Sequence, residues 1–169
     1  MEFLYRNKQY TISGISPKDH IFRQVISHKT FYETDLLEYI DFITRAKRSE
    51  QSICIDVGAN IGNHSIYFGG CLGTEVICFE PNQTVLPCLK ENLKNNLKRY
   101  VVYACALGAS EGKGSIHLPE GFEDNIGAAQ IKQSPHSNTN DQNLLEIQTL
   151  DKILTEKKGP TIETKNFLF

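Results

Sequence analysis

Apolar positions along this chain change their period several times, and each change marks a boundary between elements. Residues 53–57, Ile-Cys-Ile-Asp-Val, and residues 75–79, Glu-Val-Ile-Cys-Phe, are short and nearly all apolar rather than alternating. That is the pattern of parallel strands covered on both faces. A third such run starts at Tyr100 and reaches Ala104. Between the second and third runs, Leu86, Leu89, Leu93 and Leu97 fall on one helical stripe, with Asn82 placed to cap it and Pro87 confined to its early turns. Between the first and second, a helix is expected from near Gly62 to Gly69-Gly70. Strands alternating with amphipathic helices predict an α/β fold built on a doubly wound, Rossmann-like parallel sheet.

The flanks read differently. Residues 1–29 alternate weakly and suggest a short strand or hairpin leading in. Thr30-Phe31-Tyr32-Glu33 has capping-box spacing, and Leu36, Ile40 and Ile43 follow at helical intervals. They predict a helix of about 12 residues ending before the polar linker at 48–52. From Gly108 onward, residues 114–118, 127–131 and 145–149 read as short strands separated by polar connections, including a loop over 133–143. They predict a small antiparallel β insertion beside the main sheet. The expected division is a lead-in over 1–52, a cofactor-binding half over 53–107, the insertion over 108–150 and an atypical tail over 151–169.

The chemistry concentrates where the first strand turns. Asp56-Val57-Gly58-Ala59-Asn60-Ile61-Gly62-Asn63-His64-Ser65 places an acid near the strand end and glycines two and six positions later. Glycine there permits a tight turn and lets a ligand approach backbone that a Cβ would screen. A dinucleotide fingerprint would read G-x-G-x-x-G, but Asn60 stands at its middle glycine. A carboxylate at Asp56 would also repel a diphosphate, while it suits a cationic, amino-acid-bearing cofactor. These residues point to S-adenosylmethionine over NAD. The second strand closes on Glu80-Pro81-Asn82, and an acid at that distance from the glycine loop is where such folds hold ribose hydroxyls. An exposed strand end before a helix cap is the plainer explanation of Glu80 taken alone; its separation from Asp56 favours the ligand.

These same segments, Asp56 to Ser65, Phe79-Glu80-Pro81-Asn82, Ala106-Leu107-Gly108 and Thr149-Leu150-Asp151, resemble the FkbM-type methyltransferases. Upstream, Phe31-Tyr32-Glu33 sits where that family leads into its fold, so the resemblance runs over about residues 19 to 154. It implies a class I methyltransferase fold, S-adenosylmethionine as cofactor, and methylation of a sugar or secondary-metabolite hydroxyl. Carried onto this chain, it implies that Asp56 holds the methionine ammonium and that Gly58, Ala59, Asn60 and Gly62 admit the cofactor. Glu80 with Pro81 would border the ribose, and backbone at Ala106 and Leu107 the adenine. Members continue into a fourth core strand reading like Lys-Ile-Asp-Val-Glu-Gly. Here Pro160 to Phe167 stands in its place, which predicts an incomplete sheet with the first strand's edge bare. A bare edge recruits other chains, so self-association is expected there. Acceptor-binding and proton-accepting groups normally come from that fourth strand onward, so no catalytic residue is assigned.

Composition trims the alternatives. With 40% hydrophobic and 22% charged residues over 169 positions, the chain has an ordinary globular make-up. A net charge of −2 and an isoelectric point near 6.2 carry no footprint for nucleic acid. Five cysteines form no C-x-x-C pair and three lie in apolar runs, behaving as small buried hydrophobes suited to a reducing, cytoplasmic compartment. No leader or 18-residue apolar stretch is evident, so no membrane partner is expected. No P-loop or metal-ligand spacing occurs. His64, in a first helical turn, reads first as a solvated or locally bonded side chain and second as a base. The acidic segment at 120–125 is an exposed loop in its plainer reading and a pocket wall in its sharper one, with Asn125 its most informative residue. The competing account of the whole chain is a non-catalytic module that binds a nucleoside-type ligand or depends on a partner. A nucleotide-dependent oxidoreductase is disfavoured by Asn60 and Asp56.

Overall fold

The computed structural model describes residues 1–49, 51–122, 124–133, 144–156 and 167–168. The chain opens with a hairpin, β1 (Glu2–Tyr5) and β2 (Lys8–Thr11), closed by Arg6 and Asn7 at positive φ. Helices α1 (His20–His28) and α2 (Thr34–Thr44) follow. Then come β3 (Ile53–Val57), α3 (Asn63–Gly70), β4 (Glu75–Phe79), α4 (Leu86–Asn96) and β5 (Tyr100–Tyr103). The second half holds β6 (Ala106–Leu107), β7 (Gly112–His117), a 3-10 turn over Ile126–Ala128, β8 (Gln130–Gln133), β9 (Leu144–Gln148), α5 (Leu150–Glu156) and β10 (Phe167–Leu168).

The main sheet is parallel with order β10-β3-β4-β5. Its side chains alternate between two cores, as period-two geometry requires. Cys54, Val76 and Cys78 join a large core with Ile66, Tyr67, Leu89 and Leu93 of α3 and α4 and with the hairpin's Phe3 and Tyr10. Ile53, Ile77 and Phe79 face the other way, against Cys105 and against Ile153 of α5. The near-continuous apolar runs are thus explained, since both faces are covered. The four leucines read as a stripe are all buried.

A second four-stranded sheet has order β6-β9-β7-β8, antiparallel except for the parallel pair β6–β9. The insertion is therefore a sheet of its own, and Ala106–Leu107, expected to end the cofactor-binding half, form its edge against Ile147 and Gln148. Residues 127–131 do not make one strand: the 3-10 turn occupies their first part and β8 begins at Gln130. The loop expected over 133–143 lies, beyond Gln133, outside the described residues.

Four expectations need correcting. Helix α1 lies where only extended lead-in was foreseen; Asp19 caps it, its Oδ1 accepting from the Phe22 amide at 3.2 Å. Helix α2 starts one turn later than the capping-box spacing suggests, with Glu33 at its N-cap in the left-handed region and Thr30 outside. Its inward face is Leu37, Asp41 and Thr44, whereas Leu36 and Ile43 are 48% and 51% exposed. A buried carboxylate explains that shift of phase: Asp41 is gripped by Arg6, Arg48 and Arg45 at 2.6, 2.8 and 3.3 Å. Hydropathy reads an acid as outward, but three guanidinium partners let it point in. The region from 151 begins not as a tail but within α5. Finally, the edge of β3 is not bare along its length, because Phe167 and Leu168 pair in parallel with Ile53 and Cys54. Strand pairing uses main-chain groups, so a segment lacking the expected Lys-Ile-Asp-Val-Glu-Gly reading can still dock there.

Candidate functional site

The carboxyl ends of β3 and β4 meet in a web of main-chain bonds. Amides of Gly58 and Ala59 donate to the Phe79 carbonyl at 2.8 and 3.0 Å, laying the glycine turn across the end of β4. Glu80, 6% exposed, then ties the two turns together. Its Oε2 accepts from the Asn60 amide at 2.8 Å and its Oε1 from the Asn82 amide at 2.7 Å. Its own amide donates to the Tyr103 carbonyl at 3.0 Å, fixing it to β5 as well. A carboxylate with two amide donors still has acceptor capacity for further donors.

The backbone of this turn needs its glycines. Gly58 sits at φ +79° with nothing within 4 Å of where a Cβ would be, so it presents open backbone to the space in front of it. Gly62, at φ +88°, begins α3, and a Cβ there would come within 2.9 Å of Leu89 Cδ1 on α4. Asn60 takes the left-handed conformation at φ 49°, which Asn tolerates better than most residues, and its Oδ1 accepts from the Ile61 amide at 2.7 Å.

A cavity of about 180 Å³ opens in front of this turn, smaller than the roughly 300–1,000 Å³ typical of small-molecule sites. Gly58, Asn60, Glu80, Pro81, Ala106 and Leu107, all singled out from sequence, line it together. Asn82 and Val85 add to the same side, while Ile116 and Ile131 of the second sheet and Ile126, Gly127 and Ala129 of the intervening turn enclose it. The acidic segment flagged in the sequence contributes through its neighbours. A Cβ on Gly127 would lie 3.3 Å from Asn125 Oδ1 and 3.5 Å from Asn60 Nδ2, so Asn125 stands beside the glycine turn. Donation from the His20 amide to the Asp124 carbonyl at 2.7 Å anchors this segment to α1.

Three expected site residues lie behind the cavity rather than on it. Ala59 packs in the core. Gly62 serves the contact between α3 and α4. Asp56 is buried and accepts from Ser65 Oγ on α3 at 2.5 Å. Burial raises the Asp56 carboxyl, and the Ser65 hydroxyl and nearby His64 offset part of that. Burial likewise raises Glu80, and the Asn82 and Asn60 amides pull it part of the way back.

Sequence reasoning missed Asn92, fully buried on α4. Its Nδ2 donates to the Ile61 carbonyl at 2.7 Å and to the Ser13 carbonyl at 2.8 Å, and its Oδ1 accepts from the Ser13 amide at 2.8 Å. It staples the glycine turn to the segment after the hairpin. The readable signal was an amide at the position before Leu93, inside the leucine stripe.

Among the described residues no group of three or more His, Cys, Asp or Glu side chains converges to hold a metal. Nor is any helix among them long and apolar enough to cross a membrane. All five cysteines are free, with Cys54, Cys78 and Cys105 buried.

The model of the methyltransferase FkbM domain matches residues 56–168, and the chain belongs to that family. No curated protein matches it. Among solved structures, a proposed RNA methyltransferase from Pyrococcus horikoshii is 25% identical over 41% of this chain and 36% of its own, with a TM-score of 0.36. A proposed O-methyltransferase from Klebsiella pneumoniae is 14% identical over 50% of this chain and 43% of its own, at a TM-score of 0.37. A proposed transferase from Pyrococcus horikoshii is 18% identical over 63% and 36%, also at 0.37. This chain spans less than half the length of each of those structures.

Proposed function

We propose that this chain is the cofactor-binding part of a class I, Rossmann-like methyltransferase that uses S-adenosylmethionine to methylate a hydroxyl of a small acceptor such as a sugar. The observation that carries the reading is Glu80. It is a buried carboxylate on the wall of an otherwise mostly apolar cavity, held by Asn60 and Asn82 amides and with acceptor capacity to spare. Such a group suits the paired hydroxyls of a ribose. Open backbone at Gly58 suits close approach of the cofactor's chain, and Val85, Leu107, Ile116 and Ile131 supply apolar surface for a purine.

S-adenosylmethionine, when bound, supplies a methyl carbon made electrophilic by the sulfonium. The chain's own residues bind and orient it. Glu80 and the Gly58–Asn60 turn fix the nucleoside, and Asp56 locks the turn to α3 through Ser65 while adding negative charge that favours a cation over a diphosphate. Isothermal titration of the full chain with S-adenosylhomocysteine, NAD and ADP tests this. Saturable binding of S-adenosylhomocysteine with weaker or no binding of the other two is the expected result. Preference for NAD or ADP would overturn the cofactor, and binding without methyl transfer to any hydroxyl acceptor would favour a non-catalytic module.

A further inference from the structure

Helix α2 turns the more apolar of its faces to solvent. With Leu37, Asp41 and Thr44 directed inward, the helical period aims Tyr39, Phe42 and Ile43 outward, and Leu36 lies two turns before Ile43 on the same side. Tyr39 and Phe42 are 61% and 70% exposed, Ile43 and Leu36 51% and 48%. Exposed apolar residues scattered singly are ordinary, but four on one face of one helix make a patch of the kind that binds another surface. Two aromatic and two aliphatic side chains so exposed offer on the order of 400 Å², about half of the roughly 800 Å² that each partner buries in a standard interface.

The face is held in place from beneath. Asp41 ties the helix to Arg6 of the hairpin and to Arg48 at 2.6 and 2.8 Å. Asn63 of α3 clamps the peptide just before the helix, its Oδ1 accepting from the Tyr32 amide at 2.9 Å and its Nδ2 donating to the Tyr32 carbonyl at 3.0 Å. A surface already ordered gives up less freedom when it docks. The two ends of the helix differ in charge: Asp35 stands exposed in the first turn, and Arg45 and Lys47 stand exposed at and just past the last. Beside Leu36, a groove of about 520 Å³ between α1 and the start of α2 is lined by Glu33 and Asp35 together with Phe31 and Tyr32.

We propose that this face is a homodimer interface, in which α2 packs antiparallel against α2 of a second copy about a two-fold axis near Tyr39. The occupant follows from the order of the side chains. Antiparallel packing sets Leu36 against the partner's Ile43 and Tyr39 against its own counterpart. It also brings Asp35 and the acid-lined groove to the partner's Arg45 and Lys47, and the symmetry makes every such contact twice. Parallel packing would instead oppose like charges at both ends. Self-association was expected along β3, but that edge is already paired with β10 at Ile53 and Cys54, which favours α2 as the contact. No residue lining the cavity at the glycine turn belongs to α2, so the contact leaves that cavity accessible and is independent of the methyltransferase reading.

Sedimentation velocity on the full chain, from about 1 to about 100 µM, is the test. A reversible monomer–dimer equilibrium within that range is the expected result. Tyr39→Glu raises the dimer Kd at least about tenfold, as expected for an aromatic at the centre of an interface. Because Tyr39 is exposed in the single chain, its circular dichroism and Tm stay as in the wild type. Leu118→Glu, at a residue 40% exposed after β7, serves as the control and leaves the equilibrium unchanged. Asp35→Lys and Lys47→Glu each weaken the dimer, and the two together recover most of the loss, because the exchanged charges again face each other across the two-fold axis. A wild-type chain that stays monomeric over the whole range overturns the proposal, as does a dimer indifferent to Tyr39→Glu. Losses from Asp35→Lys and Lys47→Glu that simply add overturn the antiparallel pairing.

Discussion

Glu80 does two jobs with one side chain, since the oxygens that pin the Asn60 and Asn82 amides also border the cavity. Replacing it with glutamine keeps the shape but substitutes an NH2 for one acceptor, setting a donor against an amide. S-adenosylhomocysteine affinity should then fall by roughly 1–3 kcal/mol, about 5- to 150-fold, as titration calorimetry would read. Asp56→Asn, one shell removed, should weaken binding less; an equal or larger loss would place Asp56 on the ligand. Gly62 makes a sharper structural prediction. Alanine there meets both a positive φ and Leu89 Cδ1 at 2.9 Å, so the urea midpoint should drop by a stability of at least about 1–2 kcal/mol. An unchanged midpoint would mean that α3 and α4 part easily. At this scale the sequence was legible where a residue's chemistry matched its position, as with Glu80 and Gly58. It was not legible for Asn92, because an amide's partners are carbonyls distant in sequence.

Elements divide by whether burial follows hydropathy. Strands β3 and β4 and the inward stripe of α4 were readable because each presents a run or period of apolar side chains to a core. Helix α2 was readable in existence and not in phase, since its inward face carries Asp41. Strand β10 was unreadable for another reason: only two described residues pair, through backbone that has no side-chain signature. The Asp41 cluster predicts a pH effect. Burial would raise its carboxyl, but bonds from Arg6, Arg48 and Arg45 outweigh that and hold it at about 2, against an ordinary 3.8. A group held low stabilises the fold above its ordinary value, and the benefit disappears as pH falls from 3.8 through about 2. The difference amounts to about 2 kcal/mol. Urea unfolding of wild type and Asp41→Asn should therefore differ most at pH 7 and converge at pH 2; parallel curves would show that the arginines contribute nothing net. Asp56 and Glu80, raised by burial, act with the opposite sign, costing stability as pH climbs above the usual carboxylate range.

On the scale of the whole molecule, the cavity is shared property. Gly58, Glu80 and Phe79 come from the parallel sheet, Ile116 and Ile131 from the second, and Ile126 with Gly127 from the turn anchored to α1 by the His20–Asp124 bond. The sequence forecast an insertion and a cofactor half as neighbours, but the wall they form together follows from a strand order in which β9, last of its sheet in sequence, lies between β6 and β7. A ligand seated there contacts both sheets, and so stabilises their association along with each sheet. Binding that favours the native state adds about 2.7 kcal/mol at a hundredfold excess over Kd. For a chain of this size that is a rise of roughly 5–11 °C in Tm. Ile131 is 43% exposed, so Ile131→Asp should leave the free protein's Tm nearly unchanged while placing a carboxylate against the bound purine. Differential scanning calorimetry with and without S-adenosylhomocysteine is the measurement. A ligand-induced rise in the wild type that is much reduced in Ile131→Asp is the expected pair of results. An equal rise in both proteins would show that the second sheet stands clear of the ligand and that the parallel sheet binds it unaided.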